Sequence, residues 1–219
     1  MAISRVSQAT AQSATITIPG TYAAGDLIVI AASRTNNTPA TTPSGWVNLS
    51  SIGSVGLALS TACRYAQSSS EPSPTFTNAN ILHCVVYRSS LGIVFPGMAL
   101  GLNVGTSATI GYTALAQYKT GLDANWYLGV AAQLNTTNSL ETAPTGMANV
   151  NFDSVTGLKS AFHDTNGDQL SNWPSTTVTL VTSAVFRSAV IQLAEMAYTF
   201  PSGGGGMFFR PGMSGGMSE

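Results

Sequence analysis

Few side chains in this sequence can do acid–base or nucleophilic chemistry, and the histidines mark where to look. His83 is followed directly by Cys84, and an imidazole beside a thiol is a pairing that can activate a cysteine nucleophile. Both residues lie inside an alternating apolar stretch, 81–88. There a buried imidazole and a small buried thiol are the simpler expectation. The other histidine opens the run His163-Asp164-Thr165-Asn166-Gly167-Asp168. Asp164, Asn166 and Asp168 have the spacing of the first three ligands of a calcium loop, but the glycine stands one place early and no Glu closes the loop. A hydrogen-bonded Asp-Asn-Gly turn accounts for the same residues without a metal.

Paired carboxylates for glycoside cleavage would have to come from Asp26, Glu71, Asp123, Glu141, Asp153, Asp164, Asp168, Glu195 and Glu219. Most fall at turn or loop positions, and no acid–base pair stands out. There is no Gly-x-Ser-x-Gly elbow, phosphate loop or dinucleotide fingerprint. The expectation is therefore a protein that is not an enzyme, with no catalytic residues, no metal ligands and no cofactor.

Composition points the same way. Of 219 residues, 44% are hydrophobic and only 8% are charged, against about a quarter in an ordinary globular domain. The polar surface must come from Ser, Thr, Asn, Gln and Gly, which favours sheet over helix. A net charge of -1 without a basic run argues against nucleic acid as a partner. No apolar run approaches membrane-spanning length, so no membrane insertion is expected. The start, Met1-Ala2-Ile3-Ser4-Arg5, lacks an apolar signal segment. Cys63 and Cys84 form neither a disulfide scaffold nor a metal motif; their strands could bring them together in the core, where each is expected as a small buried hydrophobe. Asn36, Asn48 and Asn135 head glycosylation triplets that are read as chance in a Ser/Thr-rich chain.

The elements that must position these residues read as strands. Residues 13–18, 27–33, 56–66, 75–77 and 81–88 form the first set, and 27–33 is apolar enough for a strand covered on both faces. Residues 89–106 read as an irregular Gly-rich crossover. A second set follows in the same order. Residues 107–112 echo 13–18, and 125–133 echo the strand after Asp26, with Ala131-Ala132 placed against Ala31-Ala32. Ala143-Pro144-Thr145-Gly146-Met147 echoes Thr42-Pro43-Ser44-Gly45-Trp46. Fainter matches join 158–163, 176–181 and 185–196 to the remaining strands. The expected fold is all-β: one antiparallel β-sandwich over residues 1–200, jelly-roll-like, with about eight main strands in two similar halves, 10–90 and 105–196. Trp46, Cys63, Cys84 and Trp126 are expected in its structural core, with the Trp46 ring closing the core edge and a bound sugar as the alternative role. Beyond it, residues 201–219 are Gly-rich but carry Met207, Phe208, Phe209 and Met213. Apolar groups on a glycine tether suggest a tail that docks on a neighbouring subunit.

Gly25-Asp26-Leu27-Ile28-Val29, Thr42-Pro43-Ser44-Gly45-Trp46, Arg64-Tyr65-Ala66, Glu71-Pro72 and Val86-Tyr87-Arg88 together resemble the β-rich structural proteins of tailed bacteriophages. These include tail-fibre, minor tail and baseplate components. Tyr87-Arg88-Ser89 departs from the pattern, where Gly often follows. The resemblance implies a virion subunit assembled in the host cytoplasm. Its partners would be copies of itself (often a trimer), other virion proteins and a host surface glycan. A capsid decoration or cement protein and, more remotely, a carbohydrate-binding module are the alternatives.

Overall fold

The computed structural model describes residues 3–117, 125–135 and 137–195. Within them are ten strands and no helix: β1 (Ser4–Ala11), β2 (Leu27–Arg34), β3 (Val47–Ser54), β4 (Leu57–Tyr65), β5 (Ile81–Arg88), β6 (Ile93–Tyr112), β7 (Asn125–Leu134), β8 (Ala148–Val155), β9 (Leu158–Asp164) and β10 (Thr176–Glu195). They form two five-stranded antiparallel sheets, in the orders β1-β5-β2-β4-β3 and β6-β10-β7-β9-β8. The second order is the first displaced by five strands, so the repeat read in the sequence is a repeat of topology. The sheets pack face to face as a β-sandwich. Each half supplies one whole sheet, a simpler connectivity than the alternating crossings of a jelly roll.

The connectivity explains the hydrophobic pattern. Among the described residues only β3–β4 and β8–β9 are tight hairpins; the sheet orders make the other connections within each half skip a strand, and the described parts of those loops lie over the sheet's outer face. In the first half they bring Ile16, Ile18, Tyr22, Ala40, Phe76 and Ala79 onto Ile28, Ile30, Cys84 and Val86. In the second, Leu140 and Trp173 cover Tyr127, Ala131 and Val190. Between the sheets lies the main core, with Leu27, Val29, Cys63, Val85, Leu128, Val130, Phe162 and Ile191. The inner strands are thus covered on both faces, which is why β2 and β7 read as unbroken apolar runs.

The structure corrects four sequence expectations. There are ten strands rather than about eight: the edge strands β1, β3 and β8 are too polar to stand out in the sequence, and residues 89–106 contain much of β6 instead of an irregular crossover. Residues 13–18 are a loop that touches 74–76 through one bridge, Thr15 to Thr75. The stretches 176–181 and 185–196 belong to one strand, β10, as far as Glu195. Finally, the alanine match is one residue out. The hairpin turns Val55-Gly56 and Thr156-Gly157 correspond, as do the bulges at Leu49 and Val150. From these anchors the ladders place Ala32, not Ala31, with Ala131. A one-residue slip turns a strand's side chains to the wrong face, and Ala31 does face the inter-sheet core while Ala131 faces outward.

Candidate functional site

Arg5, Asp26, Arg64, Glu71, Arg88, Asp164 and Glu195 gather at one end of the sandwich. The register of the first sheet sets Arg5 beside Tyr87, Tyr87 beside Leu27 and Leu27 beside Tyr65. This places Arg5 on the inner side of that sheet end, facing the second sheet, and Asp26, Arg64 and Arg88 beside it on the outer side. The second sheet ends there with Asn125, Asp164 and Glu195, and three bonds draw the two sheet ends together. Arg5 Nη1 reaches Asp164 Oδ2 at 3.0 Å, Tyr87 Oη donates to the same oxygen at 3.0 Å, and Ser89 Oγ donates to Glu195.

Each of these acids is occupied by protein donors. Arg88 grips Asp26 bidentately, Nε to Oδ1 at 2.7 Å and Nη2 to Oδ2 at 2.6 Å, and the Ala23 amide adds a third bond at 2.8 Å. The Asp26 carboxylate holds the Arg88 guanidinium above its usual value. Arg64 pairs with Glu71 at 3.0 Å, and Glu71 also accepts the amides of Gln67 and Ser68. Burial pushes the Asp164 carboxyl up; Arg5, Tyr87 and the Asn166 amide pull it back without cancelling the shift. Burial, then the Asp164 charge, drives the Tyr87 phenol well above its usual range. Chemically, this group ties loops and sheets together.

The words that carried the phage resemblance meet here. Gly25 N donates to Ala66 O and Ala66 N to Asp26 O, both at 2.8 Å. With the Asp26–Arg88 and Arg64–Glu71 pairs, they close one end of the first sheet. Gly45 of the Pro-Ser-Gly-Trp turn lies beside Arg64: a Cβ there would stand 3.5 Å from Nη1. The sequence had marked these residues as a pattern. Their mutual contacts were not legible, because the partners lie up to 62 positions apart.

The chemistry-bearing residues are dispersed. His83 lies in the inter-sheet layer, where burial pushes its imidazole down to about 4, opposed by Asp153 and the Ser160 backbone. His163 lies on the outer face of the second sheet, edge-on to Tyr112 at 6.1 Å, and burial lowers it to about 3. Cys63 and Cys84 do not meet. They pair with Val29 and Ile30, neighbours on β2, and so point to opposite faces of the sheet. Both are free thiols pushed up by burial. In the calcium-like run, Asp164 is engaged as above and Asp168 accepts the Trp126 indole N–H at 3.0 Å. Among the described residues no three His, Cys, Asp or Glu side chains are grouped to hold a metal.

Trp126 is buried in the inter-sheet core, 5.7 Å from the Tyr87 ring. Trp46 is only half-buried and packs edge-on against Phe76 at 5.8 Å over the outer cluster. Its counterpart Met147 closes the same turn, with Met147 N donating to Pro144 O as Trp46 N does to Pro43 O. Met207, Phe208, Phe209 and Met213 lie outside the described residues. An open cleft of about 560 Å³ lies beside the second hairpin, lined by Gln12, Ser154, Thr156 and Lys159. Comparison with known proteins returned no matching family model, no matching curated protein and no matching solved structure.

Proposed function

We propose that this chain is a structural subunit of a tailed-bacteriophage particle, a tail-fibre, minor tail or baseplate component that works by packing against other copies and other virion proteins. The observation that carries the reading is where the resemblance-bearing residues sit. Asp26, Arg64, Glu71 and Arg88 are spent on fastening one end of a sheet, so the pattern is a folding signature of a packing module. The low charge supports the same role, because little repulsion opposes close packing of copies. Docking by residues 201–219 and contact with a host glycan belong to this reading as its outward-facing parts. The test is the protein content of purified particles, followed by electron microscopy of antibody-labelled virions. Label on the tail is the expected result. Label on the head would transfer the chain to the capsid-decoration role, and absence from purified particles would overturn the virion reading. Deleting 203–219 should reduce incorporation.

A further inference from the structure

One peptide link carries a chemistry of its own. Asn166-Gly167 is the one Asn-Gly pair in the sequence. An asparagine amide can be attacked by the backbone nitrogen of the next residue. A Cβ on that residue hinders the attack, and glycine has none. Every other asparagine is followed by a residue with a side chain. Asn138-Ser139, with a small second residue, is held in place. Asn138 is buried, its Nδ2 donates to Thr182 O at 2.7 Å and to Gln133 Oε1 at 3.2 Å, and its Oδ1 accepts the Thr182 amide at 2.7 Å.

Asn166 is exposed, in the turn that follows β9. Its backbone N–H is spent on Asp164 Oδ1 at 3.0 Å. Among the described residues, neither its side-chain amide nor the Gly167 N–H has a partner. Closing a ring between them requires the 166–167 peptide to swing. Two side chains resist: Thr165 Oγ1 and Gln169 Nε2 donate to Gly167 O at 3.0 and 3.2 Å. Both residues are only half-buried, so water can take over those bonds.

We propose that Asn166 is a deamidation site, and that its conversion loosens the end of the sandwich where the two sheets are fastened. The Gly167 nitrogen bonds to Asn166 Cγ and closes a five-membered succinimide. The side-chain nitrogen leaves as ammonia and takes up the proton shed by Gly167. Water then opens the ring. Opening at Cγ gives aspartate. Opening at the backbone carbonyl carbon gives isoaspartate, in which the chain runs through Cβ and Cγ and is one carbon longer. Either product adds a negative charge between Asp164 and Asp168. The longer chain also shifts what is fixed just beyond it: Asp168 Oδ1 on the Trp126 indole N–H at 3.0 Å, and Gln169 N on Asn125 O at 2.8 Å. On the near side, Asp164 holds Arg5 and Tyr87 of the first sheet. The site rests on this turn alone and holds whatever particle the chain belongs to.

The test is to incubate the folded full chain in mildly alkaline buffer and digest it with trypsin, which releases residues 160–187 as one peptide. Fragmentation should place a one-dalton gain at position 166, mostly as isoaspartate, with the other asparagines unchanged. Gly167→Ala should slow the gain severalfold. The fold admits that variant, since a Cβ there meets nothing nearer than Thr165 O at 3.9 Å. Asn166→Gly suits the left-handed backbone at φ 46° and should abolish the gain. The converted fraction should melt below the untreated chain and below Asn166→Asp, which carries the charge without the added carbon. No gain at 166 in the folded chain, an equal gain at Asn138 or an unslowed Gly167→Ala would overturn the site. A converted fraction that melts with the untreated chain would overturn the loosening.

Discussion

The two halves share a topology, a hairpin, a bulge and a turn, yet almost every interior position has been solved differently. Ile30 sits beside Ala62 on the outer face of the first sheet. The matching places in the second hold Gly129 beside His163, and a Cβ on Gly129 would stand 2.7 Å from Met147 Sδ and 3.1 Å from Tyr112. One half fills the site with a large and a small strand residue. The other reverses the sizes and brings in neighbours. His83 of the first half likewise corresponds to Ala189 of the second. At the fastened end, Asp26 is gripped by Arg88, whereas the corresponding Asn125 accepts the Gln192 amide at 2.9 Å. The backbone plan is common, and side-chain volume and charge have been exchanged within it, as tightly packed interiors require.

The histidine–alanine exchange should set the acid limb of stability. The folded-state value for His83, about 4, lies below the ordinary 6.5, so the unfolded chain takes the proton first as pH falls. Its contribution is whole above pH 6.5 and is lost between 6.5 and about 4, about 3 kcal/mol at the limit. His163 acts with the same sign down to about 3. Asp164, shifted upward, acts with the opposite sign and offsets part of the loss. Urea titrations from pH 7 to 4 should show the midpoint falling, and His83→Gln should flatten that fall. An unchanged slope in the variant would remove His83 from the account.

Gly53 and Ser154 occupy matching places before the two hairpins. A methyl at Gly53 must enter the Asn37 backbone carbonyl, 2.1 Å away, and backbone yields poorly. Gly53→Ala should cost about 2–3 kcal/mol, whereas Ser154→Ala should cost less than about 0.5 kcal/mol. Equal midpoint shifts in denaturant would show that the loop after β2 is not pressed onto β3.

The fastened ends should differ in the same direction. Asp26→Ala removes a buried carboxylate that satisfies Arg88 and the Ala23 amide, and should cost about 2 kcal/mol. Asn125→Ala removes an amide–amide bond and should cost about 1 kcal/mol.

What could be read from the sequence follows burial. The inner strands β2, β4, β5, β7 and β9 are covered on both faces, and their apolar runs announced them. β10 was read as two pieces because its middle, Leu180 to Ser183, leaves the regular ladder. The edge strands left weaker traces. Val47–Ser54 and Ala148–Val155 are polar on the side that meets solvent, and β6 hides in glycines. Of the site, Asp26 and Arg88 were visible only as parts of a pattern, since nothing local links residues on different strands. The Asp164 run showed its turn, held by Asn166 N to Asp164 Oδ1 at 3.0 Å. Its distant partners Arg5 and Tyr87 could not be seen.

The hairpin turns offer the mildest test of the comparison. Both end in a left-handed glycine, Gly56 and Gly157, but the first half also puts Val55 at φ 52°, where the second has Thr156 outside that region. A β-branched residue is strained there, and the side chain gains little in return, being 46% exposed. Asn tolerates left-handed backbone, and Asn-Gly is the favoured pair for a two-residue hairpin. Val55→Asn should therefore stabilise the protein by about 1 kcal/mol, read as a rise in melting temperature. Thr156→Asn should gain less, because there is less strain to relieve. Equal gains at both positions would mean that the benefit comes from general turn propensity, and the difference between the two hairpins would lose its energetic meaning.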